Sequence, residues 1–138
     1  MSTTTSTAHL ETVQSIYAAF GRGDVPHILD QLDDDVSWDE GIRPTAVPWL
    51  QPGRGKDHVL AFLGAVGQGI QFSTFEVEAV AASGDVVVAI MREEGTNLAS
   101  GRPMEEDLFV HYWTFDPSGK VVKFRHIGDW ARHEASMG

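Results

Sequence analysis

The distribution of hydrophobic residues predicts an α+β fold, with helices leading and an antiparallel sheet following. Two features of the 138-residue chain carry that expectation. Up to Gly69 the apolar residues recur at helical spacing, and beyond it they alternate with period two. The second half is also cut by "SGD" at 83–85, "LASGRP" at 98–103 and "DPSG" at 116–119, turn chemistry that marks out four strands.

The opening "MSTTTSTAH" reads as a flexible tail over residues 1–8, ahead of a single domain spanning 9–138. Leu10, Val13, Ile16, Tyr17 and Phe20 then share a helical face, and "GRGD" ends the run. Asp24 is placed to cap a second, short helix, with Pro26 in its first turn and Ile28, Leu29 and Leu32 buried. "DDDVSWDE" alternates, which puts Val36, Trp38 and Glu40 on one side of a short strand. The segment from Gly41 to Gly55 carries Pro44, Pro48 and Pro52 and reads as a loop. Its Ile42, Val47, Trp49 and Leu50 suggest that it folds over something rather than into solvent. A third helix runs from about Lys56 to Val66, and the strands follow near 70–82, 86–96, 104–115 and 120–128.

Composition removes several function classes. The formal net charge of -10, with no cluster of Lys or Arg, disfavours a nucleic acid or an anionic membrane as partner. The chain has no cysteine, so thiolate metal sites, disulfides and a Cys nucleophile are excluded. No stretch approaches the ~20 apolar residues of a membrane span, and the opening lacks a secretory pattern, so a cytoplasmic location is expected. "RGD" at 22–24 lies in a helix–helix turn and is set aside as an adhesion motif.

Strand parity locates a candidate site. If "DPSG" closes a four-residue loop, Phe115 faces Lys120, His111 faces Phe124 and Phe109 opposes His126. Phe109, His111, Trp113, Phe124 and His126 then line one aromatic face, the one expected to meet the helices. The two histidines fall on a diagonal, their Cβ atoms roughly 7–8 Å apart. Asp129, three residues after His126, points to the opposite face of an extended strand and precedes "WARHEA", which makes it an N-cap.

Five segments in order, "VQSIYAAFGRGD", "LDDDVSWDE", "GRGKDHVLAFL", "GDVVVAIMREEGT" and "GRPMEEDLFVHYWTFDPSGKVVKFRHIGD", resemble the SnoaL-like polyketide cyclase family of the nuclear transport factor 2-like superfamily. The resemblance covers almost the whole chain. It implies a cone: three N-terminal helices packed on a strongly curved antiparallel sheet around a deep pocket. By the same resemblance, the general-base Asp of ketosteroid isomerases falls at Glu40 and their oxyanion-binding Asp at His111. Their tyrosine falls on or beside Ile16, which leaves Tyr17 one position away. "Arg92-Glu93-Glu94" resembles the Arg-x-Asp part of the trio in the superfamily's epoxide hydrolases, with His126 where the third acid would stand. SnoaL-type cyclases pair a His with an Asp, for which the candidates are His111 with His126 or Asp129.

The catalytic candidates are therefore His111, His126, Glu40, Arg92 and Glu94. Tyr17, Trp38, Trp49, Phe62, Phe109, Trp113 and Phe124 are the expected substrate walls. Each has a plainer reading. The histidines could be core residues bonded to backbone, Arg92 with Glu94 a solvated surface pair, Glu40 a loop cap, and the aromatic rings simply core. Two histidines and a carboxylate also form a possible metal set, but a small organic ligand fits the spacing equally well and no metal is assigned. The expected function is cofactor-free acid–base chemistry (isomerisation, aldol cyclisation, dehydration or epoxide hydrolysis) on a small apolar molecule. The alternative is a binding domain of the same fold. Leu108, Val110 and Tyr112 make the outer sheet face too apolar for full exposure, so a homodimer through that face is expected.

Overall fold

The computed structural model describes residues 3–138, with side chains from residue 5 onward. Helix α1 (Thr3–Gly21) turns Val13, Ile16 and Ala19 inward at three-residue spacing, all buried. It begins earlier than expected. Residues 3–8 continue the helix instead of forming a flexible tail, while residues 1–2 lie outside the described residues. His9 is buried and stacks on Phe115 with ring centroids 4.2 Å apart, which fastens this end of the helix to the core. Helix α2 (Val25–Asp30) is capped by Asp24, whose carboxylate accepts from His27 N at 3.2 Å. After β1 (Leu32–Trp38), the loop carries a two-residue strand, β2 (Gly53–Arg54), and leads into α3 (Lys56–Gly69). The long strands β3 (Ile70–Ser83), β4 (Val86–Asn97) and β5 (Pro103–Phe115) precede β6 (Val121–Ile127) and a last helix, α4 (Trp130–Ser136).

The strands form one curved, unclosed sheet in the order β2-β1-β6-β5-β4-β3. All neighbours are antiparallel except β1 and β6, which run parallel and join the first strand of the chain to the last. Register shifts interrupt four of the five pairings. Those in the antiparallel pairs each add one residue to a strand, the β1–β6 shift adds three to β1, and such bulges bend and twist a sheet locally.

The β5–β6 hairpin departs from the expected register by two residues. The connection between the paired Phe115 and Val121 has five residues rather than four, and Val122 is an extra residue before Thr114 pairs with Lys123. Either change alone would have turned β6 over, but together they preserve parity. His111 consequently faces His126 directly, not diagonally, and Trp113 faces Phe124.

Three apolar clusters are buried among the described residues, the smallest being Ala89, Met91 and Phe109; the two larger ones frame the fold. One joins α1 and α3 to Val36, Trp38, Trp113 and Phe124. The other lies beneath the 41–55 loop, where Val47, Trp49 and Leu50 are buried against Ile70 and Met104. This loop does fold over something: Trp49 Nε1 donates to His133 Nδ1 of α4 at 3.0 Å, so loop and helix together close one end of the sheet. Gly69 faces the Trp49 ring so closely that an added Cβ would sit 2.7 Å from it.

Candidate functional site

The curved sheet brings the inward side chains of β4, β5 and β6 against α1 and α3. They enclose a cavity of about 70 Å³ whose wall includes Tyr17, Trp38, Trp49, Phe62, Phe109, Trp113 and Phe124, all seven expected aromatic residues. His111 and His126 also lie in this wall. A wider recess of about 270 Å³ adjoins it and shares Phe20, Leu63 and Phe72 with it.

His126 is held by a residue that parity did not point to. Asp39 is fully buried, and its carboxylate accepts from the His126 backbone N–H and ring Nδ1, both at 2.7 Å. Nδ1 therefore carries a proton, and Nε2 is the nitrogen left to face the cavity. Asp39 reaches this position because its backbone is left-handed, with φ 55°, which breaks the alternation of β1 just after Trp38. Asp is among the residues that tolerate this region. The same break sends Glu40 outward, where it pairs with Arg54 at 2.7 Å. Ser37 and Arg54 hold its carboxyl below the ordinary glutamate range. Glu40 is thus corrected: the carboxylate that backs His126 from behind the cavity wall is its neighbour Asp39.

His111 belongs to a chain whose proton positions follow from donor chemistry. Trp113 Nε1, which can only donate, lies 3.2 Å from Tyr17 Oη, and Tyr17 Oη lies 2.8 Å from His111 Nδ1. Burial pushes the Tyr17 phenol above its ordinary value, so it keeps its proton; with the phenol oxygen already accepting from Trp113, we assign that proton to a bond donated to Nδ1. Burial, reinforced by His126, drives His111 well below the usual histidine value, so the ring is neutral. Its remaining proton is therefore on Nε2, a buried nitrogen with no hydrogen-bond partner. The imidazole centroids of His111 and His126 are 5.0 Å apart and nearly perpendicular.

Arg92 and Glu94 are corrected as well. Both are partly exposed on the outer face, where Arg92 lies 3.4 Å from Glu94 and 3.9 Å from Glu76. The inward set of β4 is the more apolar one: Val87, Ala89 and Met91 are buried, and Ala89 pairs with His111. Glu93 continues that inward set. It is 5% exposed and lines the cavity. Burial, with the Glu106 carboxylate adding to it, pushes its carboxyl up to about 8.

Glu93 pairs across the strands with Glu106, itself 1% exposed. A register shift between Met91 and Glu93 brings Glu106 to the same face as Phe109, although three residues separate them. Glu106 Oε1 accepts from Asp129 N at 2.9 Å and lies 3.1 Å from His133 Nε2. Because Trp49 donates to His133 Nδ1, that nitrogen carries no proton, and Nε2–H donates to Glu106. Asp129 is exposed and caps α4, accepting from Ala131 N at 3.1 Å, as expected.

Sequence reasoning missed Asp39, Glu93, Glu106 and His133. Glu93 was legible, since an apolar alternating run that ends in an acid marks an inward carboxylate. Asp39 and Glu106 depend on a left-handed residue and a bulge, and His133 depends on how α4 docks. Among the described residues, no group of three or more His, Asp or Glu side chains is placed to hold a metal ion. None of the described helices is long and apolar enough to cross a membrane.

A helix-backed curved sheet around a largely apolar, aromatic-lined pocket with a few polar groups defines a protein of the nuclear transport factor 2-like (NTF2-like) class. An NTF2-like protein from Burkholderia xenovorans shares this fold with a TM-score of 0.85 at 24% identity, over 96% of this chain and 98% of that one. Another, of unknown function, from Burkholderia pseudomallei, is 28% identical over 94% of this chain and 96% of that one, with a TM-score of 0.79. TerC, crystallised with polyporic acid, is 25% identical over 94% of this chain and 98% of that one, with a TM-score of 0.77. Residues 13–124 match the SnoaL-like domain, and the chain belongs to that family. No curated protein matches it.

Proposed function

We propose that this protein is a cofactor-free acid–base enzyme acting on a small, largely apolar carbonyl compound. One observation carries the reading: His126, backed by Asp39, stands directly across the sheet from His111, whose Nε2–H has no partner. In this scheme His126 Nε2 takes a proton from the carbon next to a carbonyl. The oxygen of the resulting enolate accepts from His111 Nε2–H, a donor that the surrounding rings keep dry and therefore strong. The imidazolium formed on His126 faces the Asp39 carboxylate, which stabilises it. Where a β,γ double bond extends the enolate, returning the proton to the far carbon shifts that double bond and gives isomerisation. Attack of the enolate on a second carbonyl, with the proton going to the new alkoxide, gives aldol cyclisation.

The second reading is a binding domain in which the same groups only orient a ligand. The crystallisation of TerC with polyporic acid supports an organic ligand under either reading. The two are separated by deuterium exchange into 2-tetralone, a small uncharged ketone, followed by proton NMR in D₂O. The enzyme reading expects exchange above the buffer rate, lowered roughly 10²–10⁴-fold in His126→Gln. Saturable binding without added exchange would establish the binding reading instead.

We also propose a homodimer through the outer sheet face. Ile90, Val110 and Ile127 are cross-strand neighbours there, and Leu108 is 65% exposed.

A further inference from the structure

The polar groups of the cavity are not gathered at one point. His111, His126 and Tyr17 form one pole. Glu93 lies four residues along β4 from Ala89, the partner of His111, which is roughly 13 Å of strand at 3.3 Å per residue. A carboxyl group buried in an apolar wall needs a hydrogen-bond partner. The Glu93 side chain makes no hydrogen bond to any described residue, and its cross-strand neighbour Glu106 turns Oε1 to His133 and Asp129 N–H instead. Among the residues of the cavity wall there is no Lys or Arg, while the carboxylates of Asp39 and Glu106 lie just behind it.

We propose that Glu93 is a ligand-anchoring hydrogen-bond donor at the second pole of the cavity, so that the pocket takes uncharged carbonyl compounds and rejects carboxylates and phosphates. The proposal deepens the small-molecule reading of the same cavity and rests on it. An anion entering this wall would lose its hydration, meet no cation and face two buried carboxylates. A ketone oxygen, by contrast, accepts from a neutral carboxyl as readily as from His111 Nε2–H. The titratable groups around Glu93 are its cross-strand neighbour Glu106 and, sharing the cavity wall with it, His111 from β5, Tyr17 from α1, His126 from β6 and His133 from α4. From β3 and α3 the wall contributes only apolar side chains such as Phe75 and Phe62. No neighbour therefore favours the charged form of Glu93, in keeping with its rise to about 8.

The test is calorimetric titration of 6-acetyl-2-tetralone, a diketone with one carbonyl for each pole, between pH 6.5 and 9.5, with 2-tetralone-6-carboxylate as the anionic comparator. In the wild type, ketone affinity should fall about tenfold as Glu93 loses its proton, a change of about 1.4 kcal/mol. Glu93→Gln, which keeps a donor at every pH, should bind the ketone with little pH dependence. The carboxylate should bind at least about tenfold more weakly than the ketone at pH 7. A wild-type affinity that is flat across this range, a Glu93→Gln protein with the same fall, or equal binding of the carboxylate overturns the proposal. Carbon-13 NMR of the glutamate carboxyls gives a check that needs no ligand: a Glu93 signal titrating in the ordinary carboxylate range also overturns it. If the pH-dependent binding is present but His126→Gln exchanges deuterium as fast as the wild type, Glu93 keeps its role and the enzyme reading fails. If the ketone does not bind at all, both fail.

Discussion

Asp39 holds His126 at two points, its Oδ1 accepting the backbone N–H and its Oδ2 accepting ring Nδ1, each at 2.7 Å. Removing the carboxylate leaves two buried donors unpaired, at about 1–3 kcal/mol each. Asp39→Ala also places a residue with a Cβ but no polar side chain at φ 55°. Asp39→Ala should therefore lower stability by roughly 3 kcal/mol or more in urea unfolding. Asp39→Asn, which tolerates the backbone and still accepts one bond, should lose clearly less. Equal losses in the two variants would show that neither the retained acceptor nor backbone tolerance explains the effect.

Glu93 and His111 give stability opposite dependences on pH. The unfolded chain releases the Glu93 proton near 4.5, whereas the folded protein keeps it to about 8. Stability therefore falls as pH rises from about 4.5 and levels off above about 8. His111 is depressed in the folded state, so its contribution is present above 6.5 and lost as pH falls below that value. Glu93→Gln should match the wild type near pH 4.5 and exceed it at pH 9 by on the order of 3–5 kcal/mol. Thermal melting at the two pH values measures this, and an advantage of the same size at both refutes it.

Tyr17 sets the tautomer of His111. In Tyr17→Phe the donor to Nδ1 is gone and Trp113 Nε1 loses its acceptor, at a cost of about 1–3 kcal/mol. Nitrogen-15 NMR should show the proton on Nε2 in the wild type and shared between both ring nitrogens in the variant. A wild-type signal with the proton on Nδ1 would contradict the assignment of Nε2–H as the free donor.

Gly128 lets the chain pass close to Phe109 and Glu106. A Cβ added there would lie 2.5 Å from the Phe109 ring and 2.8 Å from Glu106 Oε1. Gly128→Ala should cost roughly 1–3 kcal/mol through overpacking and should displace Phe109, which stacks on His126 at 5.5 Å. Gly101→Ala is the control: it meets no atom within 4 Å, and its strain is confined to a positive-φ turn. Melting temperature and the His126 ring resonances report both effects, and unchanged His126 resonances in Gly128→Ala would count against the packing argument.

The outer face offers a test of assembly. Ile90→Lys with Val110→Lys puts charge into the middle of the apolar cross-strand row. Sedimentation should show a wild-type dimer and a monomeric double variant at micromolar concentration. A monomeric wild type would end the proposal.

Local pattern was enough for the class of fold, the order of elements, the Asp24 and Asp129 caps and the aromatic wall, because helix and strand periods and capping chemistry are properties of neighbouring residues. Placing His111 and His126 on one face also required only parity. The carboxylates were another matter. Asp39 instead of Glu40 turns on a single left-handed residue, and Glu106 beside Glu93 turns on an extra residue in β5. The direct opposition of the two histidines turns on a five-residue connection plus the extra Val122. A bulge or a positive φ costs about as much as one packing contact returns, so its position is decided by the curvature that closes the cavity. That curvature is a property of the whole sheet.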